Sequence, residues 1–129
     1  MNETILFVDD EPNVRNAMQR LFSDSEINVV LAADGPEALS VLCSQPVAVM
    51  VADHRMPGMS GTELLERARD LSPETVRVML TAHADLQTAL DAINQGEVFR
   101  FVLKPWENEH LQAVVEEGLL RYRLILALR

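Results

Sequence analysis

Five short apolar runs recur along the chain: Thr4–Val8, Ile27–Leu31, Val47–Ala52, Val76–Leu80 and Phe99–Leu103. Apart from flanking alanines, Arg77 and Arg100, they are continuously apolar rather than alternating. A strand with one wet face alternates in sequence, whereas a strand buried on both faces does not. The pattern therefore predicts a parallel sheet covered by helices on both sides. Helical stretches separate the runs. Val14, Ala17, Met18, Leu21 and Phe22 share one helical face, as do Leu64, Leu65, Ala68 and Leu71. Leu86, Ala89, Leu90 and Ile93 repeat the spacing. Asp34-Gly35 before Pro36 opens one helix, Asp85 opens another and Gly96 ends it. A last helix is expected from about Glu107 to the chain end. This is a (βα)5 α/β pattern, an open doubly wound sheet of five parallel strands. With 129 residues it fits one domain, 1–129, without a linker or internal repeat.

Composition excludes several classes of function. A net charge of −9 opposes binding to a phosphate backbone, which requires clustered Lys and Arg, so no direct nucleic-acid contact is expected. The N-terminal Met1-Asn2-Glu3-Thr4 lacks the basic region of a signal peptide. No apolar run approaches the ~20 residues that span a bilayer, so no membrane association is expected. The single cysteine, Cys43, suits a reducing compartment, and a cytoplasmic location follows. Cys43 itself reads as a small buried hydrophobe.

In an open parallel sheet, ligands bind at the carboxyl ends of the strands, beside the switch point in strand order. Those ends carry Asp9-Asp10-Glu11, then Asp53-His54-Arg55-Met56-Pro57-Gly58, Thr81-Ala82-His83 and Lys104-Pro105. Three carboxylates, a hydroxyl and an ammonium thus meet on one rim. Adjacent carboxylates repel and raise one another's pKa unless a cation compensates. Mg2+ is typically held by carboxylates, waters and phosphate oxygens. Together Mg2+ and Lys104 neutralise Asp9, Asp10 and Asp53. A carboxylate is a competent phosphoryl acceptor, and these groups suit the equatorial oxygens of an in-line transfer.

With Asp9-Asp10, Asp53 and Met56-Pro57-Gly58, Thr81-Ala82 and Lys104-Pro105 in this order, the chain resembles the receiver domain of two-component response regulators. The resemblance covers essentially the whole sequence. It implies a flavodoxin-like, CheY-like fold with strand order 2-1-3-4-5 and a cis Lys104-Pro105 bond. Asp53 would be the phosphoacceptor, supplied by a sensor histidine kinase. Mg2+ would be held directly by Asp10, Asp53 and the backbone carbonyl of Arg55, and by Asp9 through water. Thr81 and Lys104 would contact the phosphoryl group, and Phe101 sits where the family keeps a rotating aromatic. Such a domain signals rather than acting as an enzyme, catalysing only its own phosphorylation and slow dephosphorylation. The stretch from Gly96 to Lys104 is about one residue longer than in common receivers. The Phe-Arg-Phe-Val-Leu-Lys-Pro-Trp segment is similar to receivers joined to AAA+ transcription activators or to cyclic-di-GMP phosphodiesterases. Transcription regulation through an effector domain is the leading output. The alternatives are the phosphodiesterase output and signalling by protein contact without phosphorylation.

Other readings compete at single positions. Asp9-Asp10-Glu11 also suits a helix N-terminus, Thr81 also suits a cap for the fourth helix, and Phe101 is plain core if Phe99 takes the aromatic role. A flavodoxin-like cofactor site requires a Gly- or hydroxyl-rich phosphate loop where this chain has acids. A Mg2+-dependent phosphatase requires an acid at position 55, which is arginine. His54 and His83 have no third ligand at metal spacing and read as surface residues; Trp106 is expected to pack at the start of the last helix.

That helix carries two apolar stripes. Leu111, Val115, Leu119, Tyr122 and Leu126 suit packing on the sheet, while Leu120, Leu124 and Leu128 lie roughly opposite. A helix on the surface of a lone domain is polar on its outer face. Either the last turns fray or form part of a linker helix, or residues about 107–129 lead into an effector domain and support a weak homodimer.

Overall fold

A computed structural model of the chain describes residues 2–95 and 98–129. In chain order the elements are β1 (Thr4–Val8), α1 (Pro12–Leu21), β2 (Asn28–Ala32), α2 (Gly35–Ser44) and β3 (Val49–Asp53). They continue with α3 (Gly61–Leu71), β4 (Val76–Thr81), a 3-10 turn (His83–Asp85), α4 (Leu86–Asn94), β5 (Arg100–Leu103) and α5 (Asn108–Ala127). All strands pair in parallel in the order β2-β1-β3-β4-β5.

The continuous apolar runs are explained by two cores, one on each face of the sheet. Successive residues of a strand point to opposite faces. Ile5, Phe7, Val49, Val51, Val78 and Leu80 meet Met18 from α1, Phe22 just past its end, and Leu111, Val115 and Leu119 from α5. Leu6, Val8, Met50, Ala52 and Met79 meet α2, α3 and α4 through residues such as Leu42, Leu64, Leu65 and Ala89. Every residue of β1 and β3 is buried.

Three strands begin one or two residues later than their apolar runs. Val47 and Ala48 are buried and Ile27 and Phe99 pack on a core, yet all four precede the ladders. Hydrophobicity there marks packing that starts ahead of the paired register, although the Ala48 and Phe99 amides already donate to the Thr4 and Arg77 carbonyls at 2.8 Å. At their other ends β3 and β4 run one residue further, so that Asp53 and Thr81 are strand residues paired with Leu80 and Leu103. The Lys104-Pro105 bond is cis, as expected.

The helix starts follow local chemistry. The Asp34 carboxylate accepts the Glu37 amide at 2.9 Å and caps α2. The Ser60 hydroxyl accepts the Glu63 amide at 3.2 Å and caps α3. Asp85 occupies the cap position of α4, but its side chain makes no cap bond. The expected stop at Gly96, and with it the first two residues of the lengthened stretch, fall outside the described residues; α4 ends at Asn94.

Four apolar side chains depart from expectation. Cys43 is exposed, because the inward face of α2 is set by Gly35, Ala38 and Leu42 and the next residue turns about 100° away. Leu71 ends α3 and is exposed, while Leu90 lies outside the inward face that Ala89 and Ala92 define. Leu126, assigned to the inner stripe of α5, is also exposed in the last turn, whereas Leu111, Val115, Leu119 and Tyr122 are buried.

Two glycines permit close approach of helix to sheet. A Cβ on Gly61 would stand 2.3 Å from the Asp53 carbonyl oxygen and 2.8 Å from the His54 Cα, both backbone atoms. At Gly118 the nearest atoms are Val49 methyls at 3.0 and 3.4 Å, which have more freedom to give. Overpacking a core costs about 1–3 kcal/mol. Gly61→Ala is therefore expected to lose stability in that range and Gly118→Ala clearly less, read from urea midpoints. Equal midpoints for the two variants contradict this account.

Candidate functional site

The site is built where the strand ends are tied to their neighbours. The Asp9 amide donates to the Ala32 carbonyl at 3.1 Å, the His54 amide to Leu80 at 2.9 Å and the Lys104 amide to Thr81 at 2.9 Å. Because β2 and β3 flank β1 on opposite sides, the chain leaves the sheet in different directions there and opens a crevice. The acids and the lysine stand at that crevice.

Asp9, Asp10 and Asp53 each offer a carboxylate oxygen, and these three oxygens lie within 4.8 Å of one another. The Lys104 ammonium donates to Asp9 Oδ2 at 3.1 Å and to Asp53 Oδ1 at 3.2 Å. Asp9 is fully buried, and its Oδ1 accepts the Glu11 amide at 2.9 Å. Asp53 is nearly so, whereas Asp10 is exposed.

One ammonium among three carboxylates leaves the crevice negative. Burial raises the pKa of Asp53 above the ordinary value; Lys104 opposes this, while Asp9 and Asp10 reinforce it. Burial pulls the Lys104 ammonium down, but Asp53 and Asp9 outweigh it and leave its pKa raised. The donor set is hard oxygen, the oxygens converge, and negative charge is left over. These residues fit a hard divalent cation such as Mg2+.

Thr81 is buried, and its hydroxyl donates to the Ala82 carbonyl at 3.3 Å. It does not cap α4. Phe101 is half-buried against the core beneath α4 and lines a cleft with His83, Lys104, Trp106 and His110. Phe99 packs on the opposite core, with the Arg100 guanidinium 4.3 Å from its ring centre. His83 is exposed, while His54 is half-buried, its Nδ1 lying 3.4 Å from the Thr62 hydroxyl. The Trp106 indole donates to Asn108 at the first turn of α5.

Motif reading misses three residues beside the crevice. Arg15 reaches back from α1 and donates to the Asp9 carbonyl at 2.6 Å. Gly61 seats α3 against the Asp53 backbone. Asp85, read only as a helix start, pairs with the Arg55 side chain. Its position after β4 is the one sequence signal, and nothing in the sequence names its partner. Gly58 has a φ of +79°, the left-handed region that favours glycine, which accounts for its place after Pro57.

Residues 5–116 match the family described as the response regulator receiver domain. The chain is 37% identical to the hydrogenase transcriptional regulatory protein HoxA of Cupriavidus necator, over 98% of this chain and 27% of that protein. It is 32% identical to the DNA-binding transcriptional regulator NtrC of Escherichia coli K12, over 90% of this chain and 24% of that protein. It thus spans about a quarter of the length of these relatives. A solved structure described as adenylate cyclase from Rhodopirellula baltica superposes with a TM-score of 0.94 at 41% identity, covering 98% of this chain and 94% of that one.

The raised pKa of Asp53 has a stability consequence for the metal-free chain. A carboxyl whose pKa rises on folding binds its proton more tightly in the folded state, so ionising it weakens the fold. The loss starts as pH climbs past the ordinary value of 3.8 and is complete above the raised value. Asp53→Asn is expected to melt higher than the parent at neutral pH in EDTA, with the gap closing as pH falls below that window. A gap that does not change with pH contradicts the assignment.

Proposed function

Because the chain belongs to the response regulator receiver domain family, we propose that Asp53 accepts a phosphoryl group from a sensor histidine kinase. The observation that carries the reading is the Lys104 ammonium, hydrogen-bonded at once to Asp9 and to Asp53 at the end of the central strand. In the transfer an ionised Asp53 oxygen forms a bond to phosphorus as the bond to the kinase imidazole nitrogen breaks, and the imidazole leaves. Lys104 stands beside the acceptor oxygen and balances the charge added to it. Asp10, Asp53 and the Arg55 backbone carbonyl would hold Mg2+ directly and Asp9 would hold it through water; the bound cation supplies electrostatic stabilisation of the phosphoryl oxygens.

Thr81 is the residue that answers. A phosphoryl oxygen offers its hydroxyl a stronger acceptor than the 3.3 Å bond to Ala82. The inward shift opens room for Phe101 and repositions α4, β5 and α5, a population shift bounded by how differently the two states bind the phosphoryl group. The reading places the domain in the cytoplasm, where it controls an effector domain. The relatives named as transcriptional regulators support transcription as the output. Among the described residues, no helix is long and apolar enough to cross a membrane.

The outer stripe of α5 supports a self-association. Leu120, Leu124 and Leu128 are 62%, 57% and 78% exposed, so their own domain does not cover them. Burying each contributes about 1.5–3 kcal/mol, against an association cost of about 4–15 kcal/mol. That balance supports a weak to moderate homodimer through α5.

Two experiments test the reading. Acetyl phosphate with Mg2+ is expected to add one phosphoryl mass to the parent and none to Asp53→Asn. Asp10→Asn is expected to weaken Mg2+ binding, whereas Lys104→Ala leaves it intact or slightly tighter by removing a like charge. An adduct on Asp53→Asn, or equal Mg2+ affinity in Asp10→Asn and the parent, removes that residue from its role. For the dimer, sedimentation should show mass rising with concentration in the parent and not in the Leu120→Glu, Leu124→Glu variant. Matching distributions exclude α5 as the interface.

A further inference from the structure

A two-point ion pair lies beside the crevice and takes no part in the chemistry above. Arg55 Nε donates to Asp85 Oδ2 at 2.8 Å, and Nη2 donates to Oδ1 at 2.7 Å. This is the parallel fork that a guanidinium makes with a carboxylate and an ammonium does not. The Asp85 side chain is 8% exposed and that of Arg55 76%, so the arginine covers the carboxylate from the solvent side. Removing the guanidinium would take away the carboxylate's partner and open its side chain to solvent. The helix does not use this carboxylate either, since Asp85 stands at the cap position of α4 without capping it.

The pair joins two segments that matter to switching. Arg55 lies two residues beyond Asp53, and Asp85 four beyond Thr81. A run of hydrogen bonds links them. The Ala82 carbonyl accepts both the Thr81 hydroxyl at 3.3 Å and the Asp85 amide at 3.0 Å. The 3-10 turn is closed by the Leu86 amide on the His83 carbonyl. When the Thr81 hydroxyl leaves Ala82 for another acceptor, it removes one of the two donors holding that carbonyl. The turn that the carbonyl closes is the one that carries Asp85. The loop after β3 grips the other end through Arg55.

We propose that the Arg55–Asp85 ion pair is a latch that holds the turn after β4 in its resting position and sets how readily Thr81 moves when Asp53 is phosphorylated. Arg55 and Asp85 act through Thr81 and are positioning residues. The inference rests on Asp53 being the phosphoacceptor, and its test separates the two.

Backbone amide spectra of the whole chain are recorded at rest and with Mg2+ and beryllofluoride, an acyl-phosphate mimic. The parent, Asp85→Asn, Arg55→Gln, Arg55→Lys and the Asp85→Asn, Arg55→Gln double variant are compared. Intact mass after acetyl phosphate reports the adduct separately. In Asp85→Asn, resting amides of α4 are expected on the line joining the parent's resting and beryllofluoride positions. Their displacement should correspond to an about tenfold larger resting equilibrium constant for the switched state. Arg55→Gln should move them about as far, because it breaks the same pair, and Arg55→Lys should fall between it and the parent. The double variant should return to the position of Asp85→Asn alone, the signature of a shared interaction. A pair that only stiffened the loop would displace the peaks off that line. Peaks that stay at the resting position, leave the line or shift additively in the double variant overturn the latch. A parent that gains no adduct overturns the phosphoacceptor reading instead.

Discussion

The crevice depends on one ammonium held between two buried carboxylates. Lys104 reaches Asp9 at the end of β1 and Asp53 at the end of β3 from the far edge of the sheet. Without a compensating cation, such acids in a poorly solvated place would repel one another and favour protonation. Compensation is incomplete, because Asp53 retains a raised pKa. The site thus keeps an excess of negative charge beside the one ammonium. The same shortage of positive charge underlies the proposed Mg2+ site, and in the proposed transfer Lys104 would exchange an Asp53 oxygen for a phosphoryl oxygen.

Much of this architecture was legible in the residues. Runs without alternation required burial on both faces, and the two cores on either side of the sheet are that burial realised. The acids, Thr81 and Lys104 stand out as candidates because they follow apolar runs, and strand ends are where a parallel sheet presents side chains to a ligand. Element boundaries were less legible, for a physical reason. Val47, Ala48 and Phe99 are apolar because they pack, while Asp53 and Thr81 are polar although they pair. Cys43, Leu71, Leu90 and Leu126 show the converse limit. A helical face is set by what lies opposite it, and the sequence of one helix does not say where the sheet ends.

The features missed altogether involve pairs or backbone proximity. Arg55 and Asp85 are 30 residues apart, and no local pattern distinguishes their ion pair from two solvated charges. Arg15 serves a carbonyl rather than a side chain, so no charge complementarity marks it. Gly61 reads as an ordinary residue near a helix start, yet its missing side chain lets α3 sit against the Asp53 backbone. Each supports the site without belonging to its motif.

The two cores are separated by the sheet, and β5 is an edge strand of four residues bonded only to β4. Within it Phe101 rests on the core beneath α4, and its neighbour Val102 is buried in the core beneath α5. One peptide unit thus links the two halves of the hydrophobic interior at the most lightly braced margin of the domain. A substitution at either side chain therefore changes the backbone on which the other is seated, and β5 has one neighbouring strand, β4, to hold it in register.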